Sequence, residues 1–276
     1  GVTEEDLVVV IVSGGGSSLP CYPESECGQS AKLYDKFLPT GATIQELNLV
    51  RKHLSFLKGG GLAKLFYPAT IIGLVFSDVP GEHDEVVASG PTFKDESTVE
   101  HAREALKKYG ISEDEFEFIE TPKDDRFFER VTNITIVSNM LALSAMKKCA
   151  EEFGLNPRVV SSEIYGDAED ASAKMTAGLD GCDVALGAGE TSVVVPKKSG
   201  LGGRNTFLAL LMARRVKEGE VFVAIASDGS DNSDAAGAIV DAGLISGASE
   251  LGIYAEEYLA SFDSYSFFKK TGGLIM

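Results

Sequence analysis

Residues 7–18, LVVVIVSGGGSS, run from a wholly apolar segment straight into three glycines set between serines. The apolar run is mostly β-branched and reads as a strand buried on both faces, as in the middle of a parallel sheet. The glycines after it carry no Cβ, so their N–H groups lie open to an approaching anion. Ser13, Gly14, Gly15, Gly16 and Ser17 therefore form either a tight turn or an anion-binding loop at the carboxyl end of a strand, where open α/β sheets bind ligands. No Gly-Lys-Ser/Thr follows, so the loop is not a P-loop. GxGxxG is absent and Pro20 interrupts any helix, so it is not a dinucleotide fingerprint.

The same alternation continues outward. Apolar runs of strand length at 70–76, 133–137, 157–160, 183–186, 191–195 and 221–226 are separated by amphipathic or alanine-rich runs of helix length. That is the pattern of βαβ units. The charged, aperiodic segment 120–126 separates two such sets, giving expected domains 1–125 and 126–276. The fold class expected is α/β, with two Rossmann-like αβα domains, mainly parallel sheets and a cleft between them.

Composition narrows the partners. A net charge of −17 repels nucleic acid and anionic membranes, and no apolar run reaches spanning length. Four scattered cysteines make no disulfide scaffold, which suits reduced thiols and a cytoplasmic location. A small anionic substrate is expected where the scarce basic residues converge, and a homo-oligomer is compatible with this composition.

Several stretches supply candidate chemistry. TIQELNLVRKHLSFLK, residues 43–58, reads as one amphipathic helix with Arg51 and Lys58 along the edge of its apolar stripe. These two either snorkel from a core or point into a cleft that the following glycines keep open. SDVPGEHD, from residue 77, places Asp78 at a strand end, suited to a base or a metal ligand. GAGETSVVV (187–195) carries Glu190. GLGGRN (200–205) opens an apolar helix with Gly202, Gly203, Arg204 and Asn205, whose N-terminal N–H groups are expected to face an anion. Arg204 either pairs with Glu190 or forks onto a phosphate or carboxylate. SDGSDN, from residue 227, brings Asp228 and Asp231 off a strand, a pairing that suits Mg²⁺ shared with substrate phosphates.

Taken in order, VSGGGSSL, TGATIQELNLVRKHLSFLKGGGLA, FSDVPG…VASGPT, GAGETSVVV…GLGGRN and SDGSDNSDAAGAIVD resemble the MOFRL-type glycerate 2-kinases across the whole chain. The resemblance implies transfer of the ATP γ-phosphoryl group to the 2-hydroxyl of D-glycerate with a divalent metal. On that basis Arg204, Asp78 and Lys58 are the catalytic candidates. Ser13 to Ser17, Arg51, Glu190, Gly202, Gly203 and Asn205 would bind substrate or nucleotide, and Asp228 and Asp231 would hold Mg²⁺. Asn232 stands where the family has glycine and is expected to take the left-handed conformation that glycine supplies.

Members of the family carry a further αβ segment with Gly-Lys-Ala at the start and a Thr-Gly-Thr-Asn tail. The 276 residues are accordingly expected to be aggregation-prone and inactive alone. The alternatives are a hydroxypyruvate reductase, which needs a dinucleotide site, and a non-catalytic sugar-acid binding protein.

Overall fold

The computed structural model describes residues 1–77, 79 and 83–276, which divide into two compact units, Gly1–Ala142 and Leu143–Met276. The protein is mixed α/β with mainly parallel sheets.

In the first unit, β1 (Leu7–Ser13), β2 (Thr70–Phe76) and β3 (Val131–Val137) form a parallel sheet in that order. The β1–β2 register runs without slip from Leu7 opposite Thr70 to Ser13 opposite Phe76. Because β3 pairs with β2, the first unit reaches Ala142, past the 125/126 division read from charge. β1 is an edge strand. Val12 is buried, but Leu7, Val9 and Ile11 on the other face are 60%, 52% and 71% exposed, so the expectation of burial on both faces fails.

Among the described residues, the α-helices packed in this unit are α1 (Glu24–Phe37), α2 (Ile44–Lys52), α3 (Gly61–Phe66) and α4 (Val99–Lys108). Leu33 and Phe37 of α1, Leu47 and Val50 of α2, and Ala102 and Leu106 of α4 share one buried cluster. Thr43 and Glu46 form a capping box that starts α2. The helix ends at Lys52, with His53 as its C-cap, rather than running on to residue 58 as expected. Ser55 Oγ accepts the N–H groups of Leu57 and Lys58 at 3.1 and 3.3 Å, a local turn that competes with helix. Gly59 and Gly60 then adopt φ of 55° and 86°, which no right-handed helix allows. Lys58 therefore leaves the helix, and its expected alignment with Arg51 does not form.

The second unit follows α5 (Asn139–Glu152), within which the division falls. β4 (Pro157–Asp167) and β5 (Val184–Ser192) pair in parallel, with α6 (Ala168–Gly178) between them in sequence. The two strands expected at 183–186 and 191–195 are the single β5, which passes through Gly187 and Gly189 with register shifts. α7 (Arg204–Met212) is the centre of this unit, with Leu208 to Met212 all buried. β6 (Val221–Ile225), β7 (Gly237–Asp241) and β8 (Leu274–Ile275) form an antiparallel sheet beside the parallel ones, in keeping with the expectation of mainly parallel sheets. α8 (Ala242–Glu250), α9 (Ala255–Ala260) and α10 (Ser264–Thr271) complete the core through Ala248, Leu259, Phe267 and Phe268.

Candidate functional site

Two clusters of polar groups and glycines stand out, one in each unit. In the first, β1 ends at Ser13, and Gly16 N–H and Ser18 N–H turn back onto Ser13 O and Gly15 O. Gly16 is required by packing: a Cβ there would lie 2.5 Å from the Ala88 Cβ. The loop it meets is itself distorted, with Ala88, Ser89 and Gly90 at φ of 51°, 61° and 62°. Two consecutive non-glycine residues in the left-handed region store strain, and such strain concentrates at functional sites. Ser89 Oγ donates to Ser17 Oγ at 3.1 Å, joining the two loops.

The glycines after Lys58 form the third side. Gly59 N–H donates to Ser89 O and Gly60 N–H to Gly90 O, both at 2.8 Å. Beneath them Lys58, 2% exposed, donates to Pro20 O at 2.8 Å and pairs with the fully buried Glu26. The other Glu26 oxygen accepts Tyr22 N–H at 2.6 Å. Lys58 thus anchors the chain segment that follows the glycine loop, where the sequence reading had it facing a ligand.

Arg51 is equally hidden. Its guanidinium donates to Asn48 at 3.3 Å, its Nε has no partner among the described residues, and burial pushes its pKa down against an opposing pull from Tyr34. Glu26 and Tyr34 lie about 12 Å apart along α1 at 1.5 Å per residue, so Arg51 and Lys58 act on different turns of that helix. Asp78 lies outside the described residues.

A polar network that sequence reasoning missed surrounds the end of α2. Asp95 accepts from Lys52 at 2.5 Å, Ser97 at 2.7 Å and Thr121 at 3.1 Å. Burial pushes the Asp95 carboxyl up, but the Lys52 and Ser97 hydrogen bonds outweigh it and hold the pKa below the usual value. His53, fully buried beside it, is pushed down by burial. Neither this network nor Glu26 has a one-dimensional signature, because a buried acid and a solvated one look alike in sequence.

In the second unit, β5 carries Glu190 opposite Tyr165 of β4, and Glu190 forms an ion pair with Arg204, the first residue of α7. Both side chains are about half exposed. The Gly202-Gly203 approach is tight: a Cβ on Gly203 would lie 2.1 Å from the Asp231 carbonyl oxygen.

Asp231 bears on two expectations. Its Oδ1 accepts Asn205 N–H at 3.0 Å and Asn205 Nδ2 at 3.2 Å, and its Oδ2 accepts Thr206 N–H at 2.7 Å. The N-terminus of α7, expected to face a ligand, is therefore capped from within the chain. Both oxygens of the expected metal ligand are also committed. Asp228 remains exposed after β6, accepting Ser230 N–H at 3.1 Å. Among the described residues, no group of three or more His, Cys, Asp or Glu side chains is placed to hold a metal. Asn232 adopts φ of 54° and donates to Gly202 O at 3.1 Å, the left-handed conformation expected of it.

Comparison with known proteins matches residues 1–119 to a domain of unknown function, DUF4147, and residues 168–276 to the MOFRL family. A glycerate 2-kinase of Pyrococcus horikoshii is 36% identical over 99% of this chain and 67% of its own length. A protein of Agrobacterium vitis with a provisional hydroxypyruvate reductase name is also 36% identical, over 100% of this chain and 68% of its own. The crystal structure of a Thermotoga maritima glycerate kinase superposes with a TM-score of 0.89 at 35% identity, covering 100% of this chain and 70% of that one. Among the described residues, no helix is long and apolar enough to cross a membrane.

Proposed function

This chain belongs to the MOFRL-type glycerate kinase family, and on that premise we propose that it transfers the γ-phosphoryl group of ATP to the 2-hydroxyl of D-glycerate. The observation that carries the reading is the likeness, along the whole of this chain and 70% of the other, to the Thermotoga glycerate kinase. In the reaction the 2-hydroxyl oxygen bonds to the γ-phosphorus as the bond to the β,γ-bridging oxygen breaks, and the hydroxyl proton passes to a base. Such transfer asks the protein for positioning and charge stabilisation.

The residues support distinct parts. Arg204 is half exposed and, among the described residues, paired with Glu190, so a phosphoryl group can take it over. Arg51, buried without a carboxylate partner among the described residues, gains most from an anion such as a substrate carboxylate. The loop from Ser13 to Ser17 lies at the strand end, its Gly16 N–H turned back onto Ser13 O, and Lys58 holds the segment after it in place through Pro20. Asp78 is kept as the base.

ATP is the donor in this reading. Mg²⁺ would be held by Asp228, an exposed carboxylate able to share the ion with phosphates, while the Asp231 oxygens already accept three N–H groups. Bound there, the ion would neutralise charge on the phosphates.

The test is the product. Phosphorus NMR of a reaction of the complete gene product with ATP, D-glycerate and Mg²⁺ is expected to show 2-phosphoglycerate; 3-phosphoglycerate alone, or no product, overturns the proposal. The Agrobacterium name favours hydroxypyruvate reduction as a second reading. It needs a dinucleotide site, which the sequence offers no fingerprint for, and oxidation of NADH by hydroxypyruvate would establish it.

A further inference from the structure

The second unit holds a cavity of about 210 Å³ that the site residues do not account for. Phe207 and Leu211 of α7, Phe262, and Val193 and Val194 beyond β5 form its apolar walls; Ser192 and the start of α6, Asp167 to Glu169, form its polar edge, with Glu169 paired to Arg215. It is smaller than the roughly 300–1,000 Å³ of pockets that take a whole drug-sized ligand, so it suits one flat portion of a larger molecule.

Its position follows from the elements around it. Arg204, Phe207 and Leu211 are three and seven residues apart along α7, so they share one stripe of the helix. Glu190 and Ser192 are two apart on β5 and face the same side of the strand. Arg204 thus lies one turn before the cavity's Phe207 on the same helix stripe, and the cavity itself is bounded by α7, the segment after β5 and the start of α6. The cavity takes an uncharged planar group and Arg204 takes an anion.

The floor of the cavity is rigid. Phe207 and Phe262 stack with ring centroids 5.3 Å apart and planes 5° from parallel. Phe262 sits at φ of 53°, a true outlier for a bulky side chain. That conformation is held by its surroundings: Phe262 N–H donates to Leu259 O, Gly200 N–H to Ser261 O, and Leu201 N–H to Asp263 Oδ1. The strained ring is therefore pinned to the glycine loop that leads into Arg204. Strain retained by the surrounding structure is a mark of ligand clamps.

We propose that this cavity receives the adenine base of the phosphoryl donor, stacked on the Phe207–Phe262 pair, with its phosphates running towards Arg204. The inference rests on the kinase reading and adds to it the unit that holds the nucleotide. A base has apolar faces and a polar edge, which match aromatic walls beside the Ser192 hydroxyl and the backbone of Val193 and Val194. Base–aromatic stacking is strong enough to set affinity.

The test uses Phe262→Gly, which removes the ring at a φ that glycine adopts freely, and Phe207→Ala beside it. In both, KM for ATP is expected to rise about ten- to a hundredfold, the range that loss of base stacking gives. KM for D-glycerate and kcat at saturating ATP should stay within about twofold of the parent protein. Unchanged KM for ATP in both variants overturns the proposal while the kinase reading stands.

Should the parent protein phosphorylate no glycerate, methyl NMR of Val193, Val194 and Leu211 with added adenosine decides the matter independently. Saturable shifts of these methyls support the base pocket, and their absence overturns it.

Discussion

Lys58 and Glu26 in the first unit are 2% and 0% exposed, whereas Arg204 and Glu190 in the second are 52% and 58% exposed. Both pairs lie beside glycine-rich loops, and both join a basic residue to a distant acid. The buried pair has further backbone partners at Pro20 and Tyr22, so its geometry is fixed. The exposed pair is solvated, weak, and free to exchange one acid for another. The contrast separates a residue that builds a binding loop from one that is available to a ligand.

The largest effect is expected from breaking the buried pair. Lys58→Met leaves Glu26 charged and unpaired, and chemical denaturation should show a loss of about 3–5 kcal/mol. Adding Glu26→Leu should restore most of it, short of the Tyr22 N–H and Pro20 carbonyl left behind. A single-variant cost below about 1 kcal/mol would erase the distinction between the two pairs.

Arg204→Ala should do the reverse. Stability should change by no more than about 0.5 kcal/mol, while kcat falls about a hundredfold, or roughly 3 kcal/mol of transition-state stabilisation. Normal turnover would make Arg204 as structural as Lys58.

The two aspartates of the second unit sharpen the comparison further. Asp231→Ala removes the α7 cap and should cost about 1–2 kcal/mol of stability by thermal denaturation. Asp228→Asn should leave stability alone and raise the Mg²⁺ concentration needed for activity. An unchanged metal titration would remove Asp228 from the site.

The smallest effect is a pH limb in the first unit. The His53 pKa is lowered from 6.5 because burial penalises the imidazolium, so the unfolded chain takes up its proton first. The stability this neutral histidine contributes is present above about pH 6.5 and is lost as pH falls through the lower folded value. The melting temperature should therefore decline below pH 6.5, before the Asp95 carboxyl, held below 3.8, begins to protonate. His53→Gln should flatten the limb; an unchanged profile would assign the decline elsewhere.

Much of the alternation of strands and helices was legible in the sequence, since β1, β2, α4, α5 and α6 follow from period and composition. The error at α2 is instructive. The apolar stripe of 43–58 continues through Leu54 and Leu57, but the Ser55 hydroxyl and the left-handed Gly59 and Gly60 end the helix early. A periodicity argument weighs side chains and misses that competition. β7 and β8 escaped notice because they are short and surrounded by glycine and alanine.

The sequence by itself determined the fold class, the family, and the glycine loops at strand ends, because these rest on local pattern: apolar period, missing Cβ atoms and ordered motifs. Only the tertiary structure decided which charged residue meets which. It turned Lys58 inward onto Glu26, gave both Asp231 oxygens to the start of α7, and left Arg204 half in water. Those outcomes depend on burial and on partners brought together from distant positions. A carboxylate in water is open to a cation, whereas Asp231 has three N–H donors set against it, and nothing in the order of residues distinguishes the two.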